Sequence, residues 1–88
     1  MNATRRKNLK AIITKLEQLD SLLQEILEQL QEVRDGEQEA LENMPQSLQE
    51  SERGQQMQEY IDTMESADCE LSYIDLEGMI DLLREICA

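Results

Sequence analysis

The chain has 88 residues, a formal net charge of −12 and two aromatic residues, Tyr60 and Tyr73. Its length limits it to one domain with a small core, and its acidity disfavours direct binding to DNA, RNA or an anionic membrane. Because good helix formers dominate, interrupted by one Pro and three Gly, the composition predicts an all-α protein.

The basic residues are concentrated at the start of the chain. Residues 1–15 contain five basic and no acidic residues, whereas residues 16–88 contain all 20 acidic residues and three arginines. Two interpretations of the cluster that begins with Arg5, Arg6 and Lys7 remain open. We favour neutralisation of acids on the second helix in an antiparallel hairpin, or an idle tail, because cations at a helix N-terminus are otherwise unfavourable. The other interpretation is contact with an anion. The acids opposite it in such a hairpin are Glu70, Asp75, Glu77, Asp81 and Glu85.

The first predicted helix covers residues 4–43 and carries a complete heptad seam. Asn2 or Thr4 can cap its start, and Pro45 ends it because a proline disfavours the α conformation in the preceding residue. Gly36 lies inside this helix, where a glycine costs about 1 kcal/mol, so we expect the helix to continue or bend there. Apolar residues occupy every a and d position, a pattern that is typically covered by another helix. The a positions are Leu9, Leu16, Leu23 and Leu30, and the d positions are Ile12, Leu19, Ile26 and Val33.

A polar connector over residues 44–51 precedes the second predicted helix, residues 52–86. Ser51 is a candidate N-cap for this helix. Ser47, with Glu50 three residues later, forms an alternative capping box. The chain is therefore predicted to form two long helices joined by a short turn.

Two apolar stripes run along the second predicted helix. At 100° per residue, the first is as wide as an ordinary core face, and we expect it to meet the heptad seam in an antiparallel hairpin. It consists of Met57, Tyr60, Met64, Ala67, Leu71, Ile74, Gly78 and Leu82. The second stripe lies nearly opposite the first. It consists of Cys69, Tyr73, Leu76, Ile80, Leu83 and Cys87.

The second stripe predicts an interface with another molecule. A two-helix hairpin buries one face of each helix, so covering this stripe requires further helices. We expect a homodimer in which two hairpins form a four-helix bundle, with the second stripe as the oligomer or partner interface. The alternative is a monomer in which the N-terminal segment or the Gly36 region folds back. Tyr73 is either an aromatic anchor for a partner or a packed residue of the dimer core.

Residue types that carry chemistry are scarce. The sequence has no histidine, the commonest general base and metal ligand. Its glycines are isolated, and Cys69 and Cys87 lack the spacing of a zinc or redox site. In one continuous helix these cysteines would lie about 27 Å apart, too far for a disulfide. With the acids expected to be solvated, we predict no catalytic residue, no metal, no cofactor and no enzyme activity.

A distinctive turn segment runs from Asn43-Met44-Pro45 to Ser51-Glu52-Arg53-Gly54. It resembles the turn of a family of short, acidic, uncharacterised helical proteins from phages and prophages of Gram-positive bacteria. That family joins an acidic helix to a second helix through an Asn-Leu-Pro-Glu-Ser-type turn followed by Ser-Glu-Arg-Gly. The resemblance implies a small viral accessory protein with no assigned activity.

Together, these features predict a non-enzymatic phage accessory protein that acts by binding proteins. The expected partners are a second copy of the chain and an unidentified host protein, such as a defence protein, which meets the 44–54 turn and an acidic face formed by Glu59, Asp62 and Glu65. One alternative is an acidic nucleic-acid mimic that blocks a host nucleic-acid-binding enzyme, and another is a purely structural scaffold rod. Because no secretory signal or membrane span is visible, we expect the protein in the cytoplasm of the infected or lysogenic host.

Overall fold

The computed structural model describes residues 1–87, which form four helices and no strand. They are α1 (Ala3–Glu42), α2 (Gln46–Gln49), α3 (Glu52–Ser72) and α4 (Leu76–Cys87). The prediction of an all-α protein is confirmed.

The first helix, α1, is continuous over its 40 residues. Of the two candidate caps, Asn2 is the one used, because its side-chain oxygen accepts a hydrogen bond from the backbone N–H of Arg5 at 2.8 Å. The helix passes through Gly36 without interruption, and a Cβ added there would meet no other atom within 4 Å. Gly36 therefore neither ends the helix nor serves a close approach.

The connector after α1 contains the short helix α2, which the sequence did not predict. Pro45 precedes it in an extended conformation, and its carbonyl accepts hydrogen bonds from Leu48 and Gln49 at 2.9 and 3.0 Å. Ser51 then caps α3, since its hydroxyl accepts a hydrogen bond from the Gly54 N–H at 3.4 Å. Between the two candidate caps, the structure thus selects Ser51 over Ser47.

The second predicted helix is in fact two helices, which corrects the single span over residues 52–86. α3 ends at Ser72, and Tyr73 hydrogen-bonds back to the Glu70 carbonyl at 3.3 Å. Asp75 starts α4, because its carboxylate accepts the Gly78 N–H at 2.9 Å. An aspartate in this role satisfies an N–H that the first turn of a helix leaves unpaired. This cap competes with continuation of α3 and accounts for the break.

The helices are distributed over two compact units. The terminal unit comprises Met1–Glu25 and the chain from Ile74 onward, and the central unit comprises Ile26–Tyr73. α1 contributes to both, whereas α4 belongs to the first and α2 and α3 to the second.

In the terminal unit, α4 packs antiparallel to the first part of α1. Arg84, late in α4, pairs with Glu17, and Leu76, early in α4, lies beside Gln24 at the rim of a shallow depression. The buried core of the terminal unit is entirely aliphatic. The core residues are Ile13, Leu23, Leu76 and Ile80.

In the central unit, α3 packs antiparallel to the second part of α1. Arg34 pairs with Glu65, and the buried Leu41 lies at the α1 end that adjoins α2. Ile61 is the most buried side chain of the described residues, with 1% of its surface exposed. The central unit thus has a thin core with only two buried aliphatic side chains.

The heptad seam of α1 is buried along its a positions but not along its d positions. The leucines at a are buried or partly buried, whereas the four d residues are exposed by 47–61%. The buried line of α1, as we call its row of buried and partly buried residues, consists of the a positions and the positions one residue after d. The latter are Ile13, Asp20, Leu27, Arg34 and Leu41. The prediction that helix pairing covers the d set is therefore wrong. The buried line carries Asp20 and Arg34, so the heptad pattern alone favours the d side, and the packing of α3 and α4 against α1 overrides that pattern.

The assignment of the two stripes on the second helix is also corrected. Leu76 and Ile80, which we predicted to face a partner, are buried inside the single chain. The other predicted interface residues divide into two pairs: Leu83 and Cys87 are partly buried, whereas Cys69 and Tyr73 are exposed. Of the stripe predicted to form the core, Met57, Met64, Leu71 and Gly78 are partly buried, whereas Tyr60, Ala67, Ile74 and Leu82 are exposed. Within α3 the buried positions are one residue later than predicted, at Ile61 and Asp68 in place of Tyr60 and Ala67. In α4 the errors follow from the break at 73–75, because a single helical wheel does not hold across it.

Candidate interaction surface

The terminal unit exposes large apolar side chains on both of its helices. Each of six such side chains keeps between 46% and 63% of its surface exposed. We call these residues the apolar face of the terminal unit. They are Ile12, Leu19 and Leu22 on α1 and Met79, Leu82 and Ile86 on α4.

Both sets lie on the same side of the helix pair. On α1, 100° per residue places Leu19 on one side of the buried line and Glu17 on the other. On α4, the buried line consists of Leu76, Ile80, Leu83 and Cys87. The same rule places Ile86 on one side of this line and Arg84 on the other. Because Glu17 and Arg84 form an ion pair, their two sides coincide. The two remaining sides, which carry the apolar residues, therefore coincide as well and form one face.

The opposite side of the terminal unit is charged. The Arg84 guanidinium lies 2.6 Å from the Glu17 carboxylate and 3.8 Å from that of Asp81. Asp20 and Glu77 line the same shallow depression as this ion pair. Thus, one side of the unit is polar and the other is apolar.

The N-terminal basic residues make no ion pair within residues 1–87. The cation that pairs with α1 is Arg84, from the acidic part of the chain, and the Nε of Arg6 is buried without a hydrogen-bond partner among the described residues. The predicted neutralisation therefore does not take the form of ion pairs within residues 1–87, and an idle tail and contact with an anion stay predictions.

The predicted acidic face lies on the outer side of α3, in the central unit. Glu59, Asp62 and Glu65 are all exposed. The Asp62 carboxylate accepts a hydrogen bond from Gln58 at 3.0 Å, and Glu65 forms an ion pair with Arg34 at 3.3 Å. Of the three, only Glu65 is neutralised within the described residues.

Arg34 is held by two carboxylates in the central unit. Its guanidinium donates hydrogen bonds to Asp35 at 2.9 Å and to Glu65 at 3.3 Å. The hydrogen bond to Asp35, followed by the attraction of both carboxylates, raises the pKa of Arg34 above its ordinary value despite partial desolvation. Arginine is permanently charged in proteins, so Arg34 neutralises part of the acidic face at Glu65.

The turn of the central unit is tightly packed around Gly54. A Cβ at this position would overlap the Gln49 backbone, with the Gln49 carbonyl carbon at 2.6 Å and its Cα at 2.7 Å. The Gln49 side chain donates hydrogen bonds to the carbonyls of Met44 at 2.7 Å and Glu42 at 3.3 Å. Sequence reasoning singled out the Ser51–Gly54 motif but missed the role of Gln49.

Three residues of the apolar face were also missed. Leu22, Met79 and Ile86 belonged to neither the heptad seam nor the two stripes. The signal that could have found the α4 pair is Asp75 followed three residues later by Gly78, a cap-like spacing that begins a new helix and resets its wheel. Leu22 follows directly from the exposed d positions, because it lies three residues after Leu19 and four before Ile26.

The described residues hold no arrangement of three cysteine or acidic side chains that could bind a metal ion. Cys69 and Cys87 are both free thiols. None of the helices within residues 1–87 combines the length and apolar content needed to cross a bilayer. The surfaces that stand out are therefore the apolar face of the terminal unit and the acidic outer side of α3.

The chain matches no protein-family model, no curated protein and no solved structure.

Proposed function

We propose that this chain is a non-enzymatic protein that acts by binding other proteins, first a second copy of itself. The observation that carries the proposal is the apolar face of the terminal unit, where six large side chains remain about half exposed. Contiguous apolar surface of this kind is uncommon on monomeric proteins and marks sites of association. Two helix pairs joined through such faces form a four-helix bundle.

The second partner in this proposal is a host protein that meets the acidic outer side of α3. Glu59 and Asp62 are exposed there and make no ion pair within the described residues. The phage context rests on the resemblance of the 43–54 turn, which implies a small viral accessory protein, and we propose that it works in the cytoplasm of an infected or lysogenic host. A partner with a basic surface suits this face, and modulation or inhibition of a host defence protein is the role we propose.

The test is capture of partners from a host lysate on immobilised chain, with matched charge-reversal variants. We expect Glu59→Lys, Asp62→Lys and Glu65→Lys, combined, to lose a partner that the wild type retains. The control combines Glu25→Lys, Glu28→Lys and Glu32→Lys on α1, which changes the net charge equally at other exposed acids. Retention of the partner by both variants would contradict a role for the α3 face.

A second candidate function, nucleic-acid mimicry, is favoured by the excess of unpaired acids. The chain has 20 acidic residues, and only Glu17, Asp35, Glu65 and Asp81 take part in ion pairs within residues 1–87. A mimic depends on the overall array, so both charge-reversal variants would weaken binding and added DNA would compete for the partner. The scaffold alternative differs in solution: light scattering would show growth beyond a dimer with rising concentration.

A further inference from the structure

We infer that the apolar face of the terminal unit is covered by the same face of a second copy, with α1 of each copy lying along α4 of the other. This inference rests on the proposed self-association and specifies its surface and arrangement. Both helices of the unit contribute to the face, so a two-fold pairing buries apolar side chains from four helices.

Charge complementarity identifies a second copy as the occupant. The α1 end of the terminal unit carries five basic residues without an ion pair among the described residues, and α4 is acidic. Lys15 lies within the apolar face, since it follows Ile12 by three residues and precedes Leu19 by four. Glu85 borders the α4 part of the face, three residues after Leu82. The charges at the apolar face itself are therefore Lys15 on α1 and Glu85 on α4, and a two-fold rotation that sets α1 of one copy against α4 of the other places this basic residue against this acidic one.

The in-chain ion pair fixes the level of these charges along the helices. Glu17 lies opposite Arg84 in the antiparallel pair, so Lys15 lies about level with Glu85. Rotation about a two-fold axis parallel to the helices leaves the position of each residue along the helix axis unchanged. It therefore sets Lys15 of one copy near Glu85 of the second copy. An axis perpendicular to the helices would set α1 on α1, bringing Lys15 near the basic end of the other α1. Like charges disfavour that arrangement, so we infer that the two-fold axis is parallel to the helices.

The decisive experiment is a charge swap, read out as the dimer dissociation constant from sedimentation over a concentration series. Lys15→Glu and Glu85→Lys each create two like-charge contacts per dimer, and we expect each to raise the dissociation constant about threefold to tenfold. The double variant restores opposite charges and should return within about twofold of the wild type. Single variants that weaken the dimer without recovery in the double variant would overturn the α1–α4 arrangement.

A second pair of variants tests the face itself. Leu19→Glu should raise the dissociation constant at least about tenfold, because it places a charge in the buried interface. Leu48→Glu in α2 is the matched control, since Leu48 is exposed to nearly the same extent, 48% against 50%. Circular dichroism checks that both remain helical. Equal effects of the two variants on the dissociation constant would contradict the apolar face of the terminal unit as the dimer interface.

The outcome for the free chain separates this inference from the proposed function. Even a weak dimer forms at about 100 μM, so a wild type that remains monomeric at that concentration would contradict the inference that a second copy covers the apolar face. If such a monomer still captures a host protein in an α3-dependent way, protein binding stands without the dimer.

Discussion

In both units a helix packs antiparallel to part of α1, but the two units bury different numbers of aliphatic side chains. The terminal unit buries four aliphatic side chains and still exposes an apolar face. The central unit buries only Leu41 and Ile61 and places Arg34 and Asp68 on its partly buried lines. Surplus apolar surface favours association, whereas a thin core makes its unit depend on single residues and on a tight turn. The following predictions test this difference.

The largest expected effect is at Ile61, the most buried side chain of the central unit. Ile61→Ala should lower the free energy of unfolding by about 2–5 kcal/mol, because it removes buried methyl groups and leaves a cavity in a core with little else to fill it. Urea unfolding followed by circular dichroism measures this. Ile26→Ala is the control, since Ile26 belongs to the same unit but is 47% exposed. Similar losses for the two variants would show that the core of the central unit lies elsewhere.

The next effect contrasts two glycines of the central unit. Gly54→Ala should destabilise by about 1–3 kcal/mol, because the new Cβ overlaps the Gln49 backbone and forces the turn to shift. Gly36→Ala should instead stabilise by about 0.5–1 kcal/mol, because Gly36 is helical and its Cβ would enter open space. Urea midpoints at one protein concentration give both values. The same sign for both would refute the close approach at the turn.

The cap of α4 gives a moderate effect in the terminal unit. Asp75→Ala should cost about 0.5–2 kcal/mol, because the Gly78 N–H loses its acceptor. Asp75→Asn keeps a capping oxygen and should remain within a few tenths of a kcal/mol of the wild type. Thermal unfolding at matched concentrations compares the two. If Asn and Ala are equally harmful, the carboxylate serves something other than the cap.

The smallest effect is expected on the polar side of the terminal unit. Arg84→Gln should cost less than about 1 kcal/mol, because the pair with Glu17 is exposed and screened by solvent. The effect should shrink further in high salt. Arg53→Gln provides the comparison, since Arg53 is exposed and makes no ion pair within residues 1–87. A loss of several kcal/mol at Arg84 would mean that charge, not apolar packing, stabilises this unit.

Local features of the fold could be predicted where a short-range rule decides them. Pro45 ends α1 through sterics between neighbouring residues, and Ser51 caps α3 through a hydrogen bond to Gly54. The cap at Asp75 obeys the same rule, but the apolar pattern continues through residues 73–75 and hides the helix break there. A single helical wheel drawn across that break predicts Leu76 and Ile80 at an interface, whereas both are buried within the chain.

The candidate site was less predictable, because it depends on which apolar residues remain after the chain has packed. The sequence alone determined an all-helical chain, the position of its turn, a basic start and an acidic remainder. Tertiary structure decided that α1 buries its a positions with those one residue after d, and so leaves Leu19 and its neighbours exposed. The physical reason is that burial depends on which side of α1 the other helices contact. The heptad pattern favours the wholly apolar d side, but the helices pack on the side that carries Asp20 and Arg34, where Arg34 pairs with Glu65 on α3.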